Sequence, residues 1–93
     1  MYHIIINPAS RSGSGRKIWK EQIEPALNRG NISFRSYFSA KAGDIARIAE
    51  DILASSAERP LQLIILGGDG SINEALGGIE QLQKNREVNI RFF

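Results

Sequence analysis

Asp69 is the lone carboxylate of the loop Gly67-Gly68-Asp69-Gly70-Ser71, and this setting is the chain's main chemical signal. Glycines let backbone come close to a ligand and permit positive φ. The first amides of a helix have no internal acceptor and sit at the positive end of its dipole, so they attract phosphate oxygens. A carboxylate in a loop suited to anions needs a partner of its own. A magnesium ion or a substrate hydroxyl would supply one, and capping the next helix is the alternative. A turn that binds nothing is the plain reading of a glycine pair; the interleaved Asp69 and Ser71, with Asn73-Glu74 following, weigh against it. The spacing is neither that of a P-loop nor that of a dinucleotide fingerprint.

A second loop, Ser12-Gly13-Ser14-Gly15, leads into Arg16, Lys17 and Lys20. Residues 11–20 contain no acid. A solvated helix face is the default explanation for such a run, but its place beside a glycine loop favours phosphate. Aromatic residues are not interleaved with these bases, so no stacking platform for single strands is present. A net charge of +2 does not indicate a nucleic-acid binder. His3 is the single histidine and no cysteine exists, which excludes histidine-rich and thiolate metal centres and disulfides. His3 falls in a β-rich run and reads as structural.

These loops need elements to hold them. Residues 2–6 read as a strand ended by Asn7-Pro8. A helix is expected from about Arg16 to Arg29, with Ile18, Trp19, Ile23, Ala26 and Leu27 as its apolar stripe. Pro25 should kink it or end its first segment near Gln22 to Glu24, and Gly30-Asn31 closes it. Ile32 to Phe38 alternates and predicts a strand with Ile32, Phe34 and Phe38 on one side. After the loop Ser39 to Gly43, the helix Asp44 to Ser55 has the cleanest periodicity: Ile45, Ile48, Ala49, Ile52 and Leu53. Leu61 to Leu66 is a buried parallel strand, a third helix runs from Ser71 to about Gln83, and Val88, Ile90 and Phe92 alternate as a fourth strand. The order βαβαβαβ predicts an α/β fold, a three-layer doubly wound, mostly parallel sheet. Trp19 and the phenylalanines fit core positions.

Ninety-three residues allow one small domain. No apolar run approaches the roughly 20 residues needed to span a bilayer, and the first residues lack the pattern of a signal peptide. The lack of cysteine fits a reducing cytoplasm. Arg91-Phe92-Phe93 falls inside the fourth strand, so the sheet is expected to be incomplete at the C-terminus and the chain to be a fragment. An unfinished sheet edge leaves room for a homo-oligomer.

Three segments together resemble the lipid kinase family of diacylglycerol kinases, sphingosine kinases and their bacterial relatives. They are Ile5-Ile6-Asn7-Pro8-Ala9-Ser10 with Ser12-Gly13-Ser14-Gly15, then Ser39-Ala40-Lys41-Ala42-Gly43-Asp44-Ile45-Ala46, then Gly67 to Glu74. The resemblance implies that residues 1–93 are the N-terminal nucleotide-binding part of such a catalytic domain, without its C-terminal lipid-binding domain. It implies that Asn7, Pro8, Ser12, Gly13, Gly15 and Arg16 surround the nucleotide phosphates, that Ser39 contacts the nucleotide, and that Gly67, Gly68, Asp69, Gly70, Ser71 and Asn73 form the phosphate loop. ATP and magnesium would be the cofactors, with Asp69 the catalytic and metal-linked group. A lipid hydroxyl such as that of diacylglycerol would be the acceptor, in a cytoplasmic enzyme working peripherally at the inner membrane surface. A NAD kinase-like or sugar-phosphate kinase domain is a rival that Asn7-Pro8 argues against. A non-catalytic nucleotide-binding module is another.

Overall fold

The computed structural model describes residues 1–8, 13–40, 43–58, 60–67 and 88–92. Its strands are β1 (Tyr2–Ile6), β2 (Phe34–Phe38), β3 (Leu61–Leu66) and β4 (Val88–Phe92). They form one four-stranded sheet in the order β2-β1-β3-β4, parallel throughout. β1 is central, and Ile4, Ile5 and Ile6 are fully buried. A strand covered on both faces cannot alternate with polar residues, which is why β1 and β3 read as near-continuous apolar runs.

The two faces carry separate cores. Ile5, Leu61, Leu63, Ile65 and Val88 pack with Ile45, Ile48, Ala49 and Ile52 of α3 (Asp44–Ser55) on one side. Ile4, Ile6 and Leu66 pack with Trp19 on the other. Each such aliphatic side chain contributes about 1.5–3 kcal/mol by leaving water. The three-layer α/β expectation therefore holds, and α3 and β3 have the bounds that their periodicity predicts. The expected third helix, from Ser71 to about Gln83, lies outside the described residues.

The first helical segment departs from a plain α-helix. α1 (Gly15–Ile18) passes into a π-helical turn, Trp19–Ile23, and then α2 (Glu24–Arg29). Pro25 has no N–H to give, and its ring crowds the carbonyl of Glu21. The wider turn lies immediately before it, with Glu24 N–H donating to the Trp19 carbonyl five residues back. The boundary falls at the expected place, yet the helical path continues through it.

The end of α2 corrects the expected start of β2. Asn31 takes φ of +53°, its N–H donates to the Asn28 carbonyl at 3.2 Å, and Ile32 N–H donates to the Leu27 carbonyl at 3.0 Å. This is a Schellman closure. Ile32 is thus tied to the helix and 39% exposed, and the strand begins only at Phe34. Phe38 is also a correction, because it is 45% exposed at the sheet's β2 edge. Phe34 does pack, meeting Trp19 edge to face at 5.6 Å between centroids.

From β1 the chain moves to β2 on one side, then returns past β1 to β3 on the other. Right-handed crossovers then require the two connecting helices on opposite faces, as the two cores show. Direction reverses between β1 and β3. Open α/β sheets bind ligands at such a point, beyond the carboxyl ends of the strands.

Candidate functional site

Ile6, the last residue of β1, pairs with Phe38 on one side and Leu66 on the other. Asn7, Ser39 and Gly67 therefore leave the sheet side by side. Asn7 N–H donates to the Leu66 carbonyl at 2.9 Å, and Ser39 N–H to the Ile6 carbonyl at 2.9 Å. The Ser39 hydroxyl donates to that same carbonyl at 3.4 Å. Gly67 is buried, and Asn7 and Pro8 are half-buried. The sheet thus brings Asn7, Pro8, Ser39 and Gly67 together at the carboxyl ends of its strands, with the switch point between Asn7 and Gly67. Ser39 is only 8% exposed, and its hydroxyl is directed to Ile6.

Before α1, Gly13 has φ of +89°, in the left-handed region, and among the described residues no atom lies within 4 Å of where a Cβ would stand. A backbone that carries no side chain there suits close approach by a ligand. Ser14 precedes the helix without capping it by its side chain, although its carbonyl accepts Ile18 N–H at 2.9 Å. Gly15 is buried at the first position of α1, while Arg16 and Lys17 are exposed. An exposed guanidinium interacts through screened charge, more weakly than a shielded one.

On the β2 side, Gly43 has φ of +87° and Asp44 opens α3. Asp44 is buried; its Oδ2 accepts Ala40 N–H at 2.7 Å and its Oδ1 accepts from the Arg47 guanidinium at 3.2 Å. Sequence reasoning read Asp44 only as a helix start. The signal available was an acid placed directly after a glycine and four residues beyond Ala40.

Ser12, Gly68, Asp69, Gly70, Ser71 and Asn73 lie outside the described residues. Among the described residues, no group of three or more histidine, cysteine or acidic side chains could hold a metal ion. Magnesium therefore has no described cradle. Likewise, among the described residues no helix is long and apolar enough to cross a membrane. His3 sits far from this end, near the start of β1. It is buried, with Nδ1 3.2 Å from the Tyr37 hydroxyl and Nε2 3.7 Å from Glu58 Oε1.

Residues 1–90 match the model of the diacylglycerol kinase catalytic domain, and the chain belongs to that family. It is 29% identical over 90 residues to the diacylglycerol kinase of Staphylococcus carnosus (strain TM300), covering 94% of this chain and 27% of that protein. It is 32% identical over 79 residues to sphingoid long-chain bases kinase 1 of Arabidopsis thaliana, covering 82% of this chain and 10% of that one. The crystal structure of a "putative diacylglycerol kinase" from Bacillus anthracis str. Sterne has the same fold. Its TM-score is 0.72 at 16% identity, over 98% of this chain and 29% of that one. The chain thus spans roughly a quarter of the length of the bacterial relatives it matches.

Proposed function

We propose that this chain is the nucleotide-binding part of an ATP-dependent lipid kinase. The observation that carries the reading is the row Ser39, Asn7 and Gly67 at the strand ends, with the switch point between Asn7 and Gly67, in a diacylglycerol kinase catalytic domain. In the reaction, the oxygen of a lipid hydroxyl bonds to the γ-phosphorus of ATP. The bond from that phosphorus to the bridging oxygen breaks, ADP leaves with the electron pair, and the hydroxyl proton passes to a base. Such transfer depends on positioning and on neutralising charge more than on covalent chemistry by the protein.

The residues divide this work. Backbone amides at Gly13 to Gly15 and at Gly67 to Ser71 would take phosphate oxygens, with Arg16 adding screened charge from the surface. Asn7 and Pro8, at the end of β1, would line the site beside Gly67, since Asn7 N–H is bonded to the Leu66 carbonyl. Asp69 is the candidate to receive the hydroxyl proton or to hold magnesium. The metal enters no further step here, because the described residues offer it no ligand set. The acceptor is a lipid with a free hydroxyl, diacylglycerol being the first to test, and the names of the relatives support a lipid acceptor. The enzyme would work in the cytoplasm, peripherally at the inner membrane surface.

The test uses the complete protein with radiolabelled ATP and vesicles containing diacylglycerol, sphingoid base or no acceptor. Label in the lipid phase with one acceptor, abolished by Asp69→Asn, is the expected result. ATP hydrolysis without lipid labelling, or no ATP binding at all, would overturn the reading.

A further inference from the structure

Asp44 is the first residue of α3 and only 5% exposed. An acid in the first turn of a helix is favoured by the dipole by about 0.3–1 kcal/mol even when it points into water. Here the carboxylate turns back on its own chain. Oδ2 accepts Ala40 N–H at 2.7 Å, and Oδ1 accepts from the Arg47 guanidinium at 3.2 Å. Gly43, at φ of +87°, makes the return turn in a conformation that side chains rarely adopt. Arg47 also reaches Asp51 at 3.5 Å, which steadies the guanidinium beside Asp44.

Ala40 follows Ser39, and Ser39 gives both its N–H and its hydroxyl to the Ile6 carbonyl. Residues 39 and 40 are therefore gripped from two sides, by β1 through Ile6 and by α3 through Asp44. The β1–β2 ladder ends at Phe38, so these contacts take over where the sheet stops. A carboxylate bond to a backbone N–H is short and roughly twice as strong as a neutral one. Burying a carboxylate is costly unless it is bonded in this way. A residue serving the dipole alone would be better left in water.

We infer that Asp44 is a positioning residue for the nucleotide site. It holds the Ser39–Ala40 segment against the end of β1 and so sets the spacing between the loops that follow β1 and β2. Asp44 need touch no nucleotide itself. The inference rests on the nucleotide reading above.

The test is ATP titration by calorimetry into the complete protein and its Asp44→Ala, Asp44→Asn and Arg47→Ala variants, with thermal unfolding and the lipid KM recorded alongside. Asp44→Ala should weaken ATP binding about tenfold, and Asp44→Asn, which keeps an oxygen for Ala40 N–H but loses the charge, about threefold. Arg47→Ala should do less than Asp44→Asn, and the lipid KM should not move. That graded order, measured where every variant is folded, supports the inference. Variants that melt earlier yet bind ATP like the parent make Asp44 a helix cap only and overturn it. Should Asp44→Ala not fold, Asp44→Asn and Arg47→Ala still discriminate: weakened ATP binding in that order supports the inference, and parental binding in both overturns it. A parent protein that binds no ATP removes the nucleotide reading and this inference with it, whereas parental binding with unchanged variants removes this inference alone.

Discussion

Ser39 gives two donors to one acceptor: its backbone N–H and its hydroxyl both reach the carbonyl of Ile6, at 2.9 and 3.4 Å. The last carbonyl of the central strand is thereby bound to the first residue past the edge strand. The backbone bond is the shorter and survives any side-chain change. Ser39→Ala should therefore cost only about 0.5–1.5 kcal/mol of stability, the net worth of one hydrogen bond. Because the hydroxyl is directed to Ile6, ATP affinity should stay within about threefold of the parent, less than one charged hydrogen bond is worth. Urea denaturation and ATP titration of the variant check both numbers.

Gly13 separates conformation from space. With φ of +89° and nothing among the described residues within 4 Å of a Cβ, a side chain there meets no clash with them but must adopt the left-handed state. Gly13→Val should cost about 1–2 kcal/mol in strain and weaken ATP binding as the loop changes shape. Gly13→Asn, whose side chain tolerates that region, should keep most of both. Thermal unfolding and ATP titration of the two variants side by side would show it; equal losses would mean that the open space matters and the backbone state does not.

Asp69→Asn in the complete enzyme should lower turnover far more than nucleotide affinity. A charged group acting only on the reacting atoms is typically worth about 10²–10³ in kcat. Steady-state kinetics with ATP and diacylglycerol measure it, and an unchanged kcat would reduce Asp69 to a helix cap.

Trp19 is fully buried, and among the described residues its indole Nε1 has no hydrogen-bond partner. Trp19→Phe deletes an unpaired donor along with some volume, so it should cost less than the about 3–5 kcal/mol expected of Trp19→Ala. The edge-to-face contact with Phe34 remains available to a phenylalanine. Urea midpoints of the two variants give the comparison. Equal losses would show that packing of the larger ring outweighs the unpaired donor.

Glu58 accepts a hydrogen bond from the Met1 ammonium at 2.9 Å. That bond is the main reason its carboxyl lies below the ordinary value of 4.5; desolvation opposes it, and the ammonium charge and then His3 add to the lowering. A carboxyl lowered on folding contributes stability above its unfolded pKa and loses it as pH falls through the folded value. Stability should therefore decline below the ordinary value of 4.5, and Glu58→Gln should flatten that part of the acid titration. Denaturation midpoints from neutral pH down to acid pH would reveal the flattening.

Much of the architecture is legible in the sequence because it is local. The Leu61–Leu66 strand and the Asp44–Ser55 helix follow from apolar runs and a 3.6-residue period, which each segment carries whatever its neighbours do. Asn7, Ser39 and Gly67 could be named because the segments that hold them resemble those of the lipid kinase family, and each directly follows a strand. Tertiary structure alone decided the rest. Strand order, the burial of Ser39 against Ile6 and the exposure of Phe38 depend on which strands pair, and the pairing of β1 with β2 joins residues more than thirty positions apart. Ile32 looked like strand by alternation but was claimed by the closure of α2, where two backbone bonds outweighed a single apolar residue's preference. Asp44 looked like any acid at a helix start; only the left-handed turn at Gly43 aims its carboxylate at Ala40, because a side chain's partner is set by the path of the backbone around it.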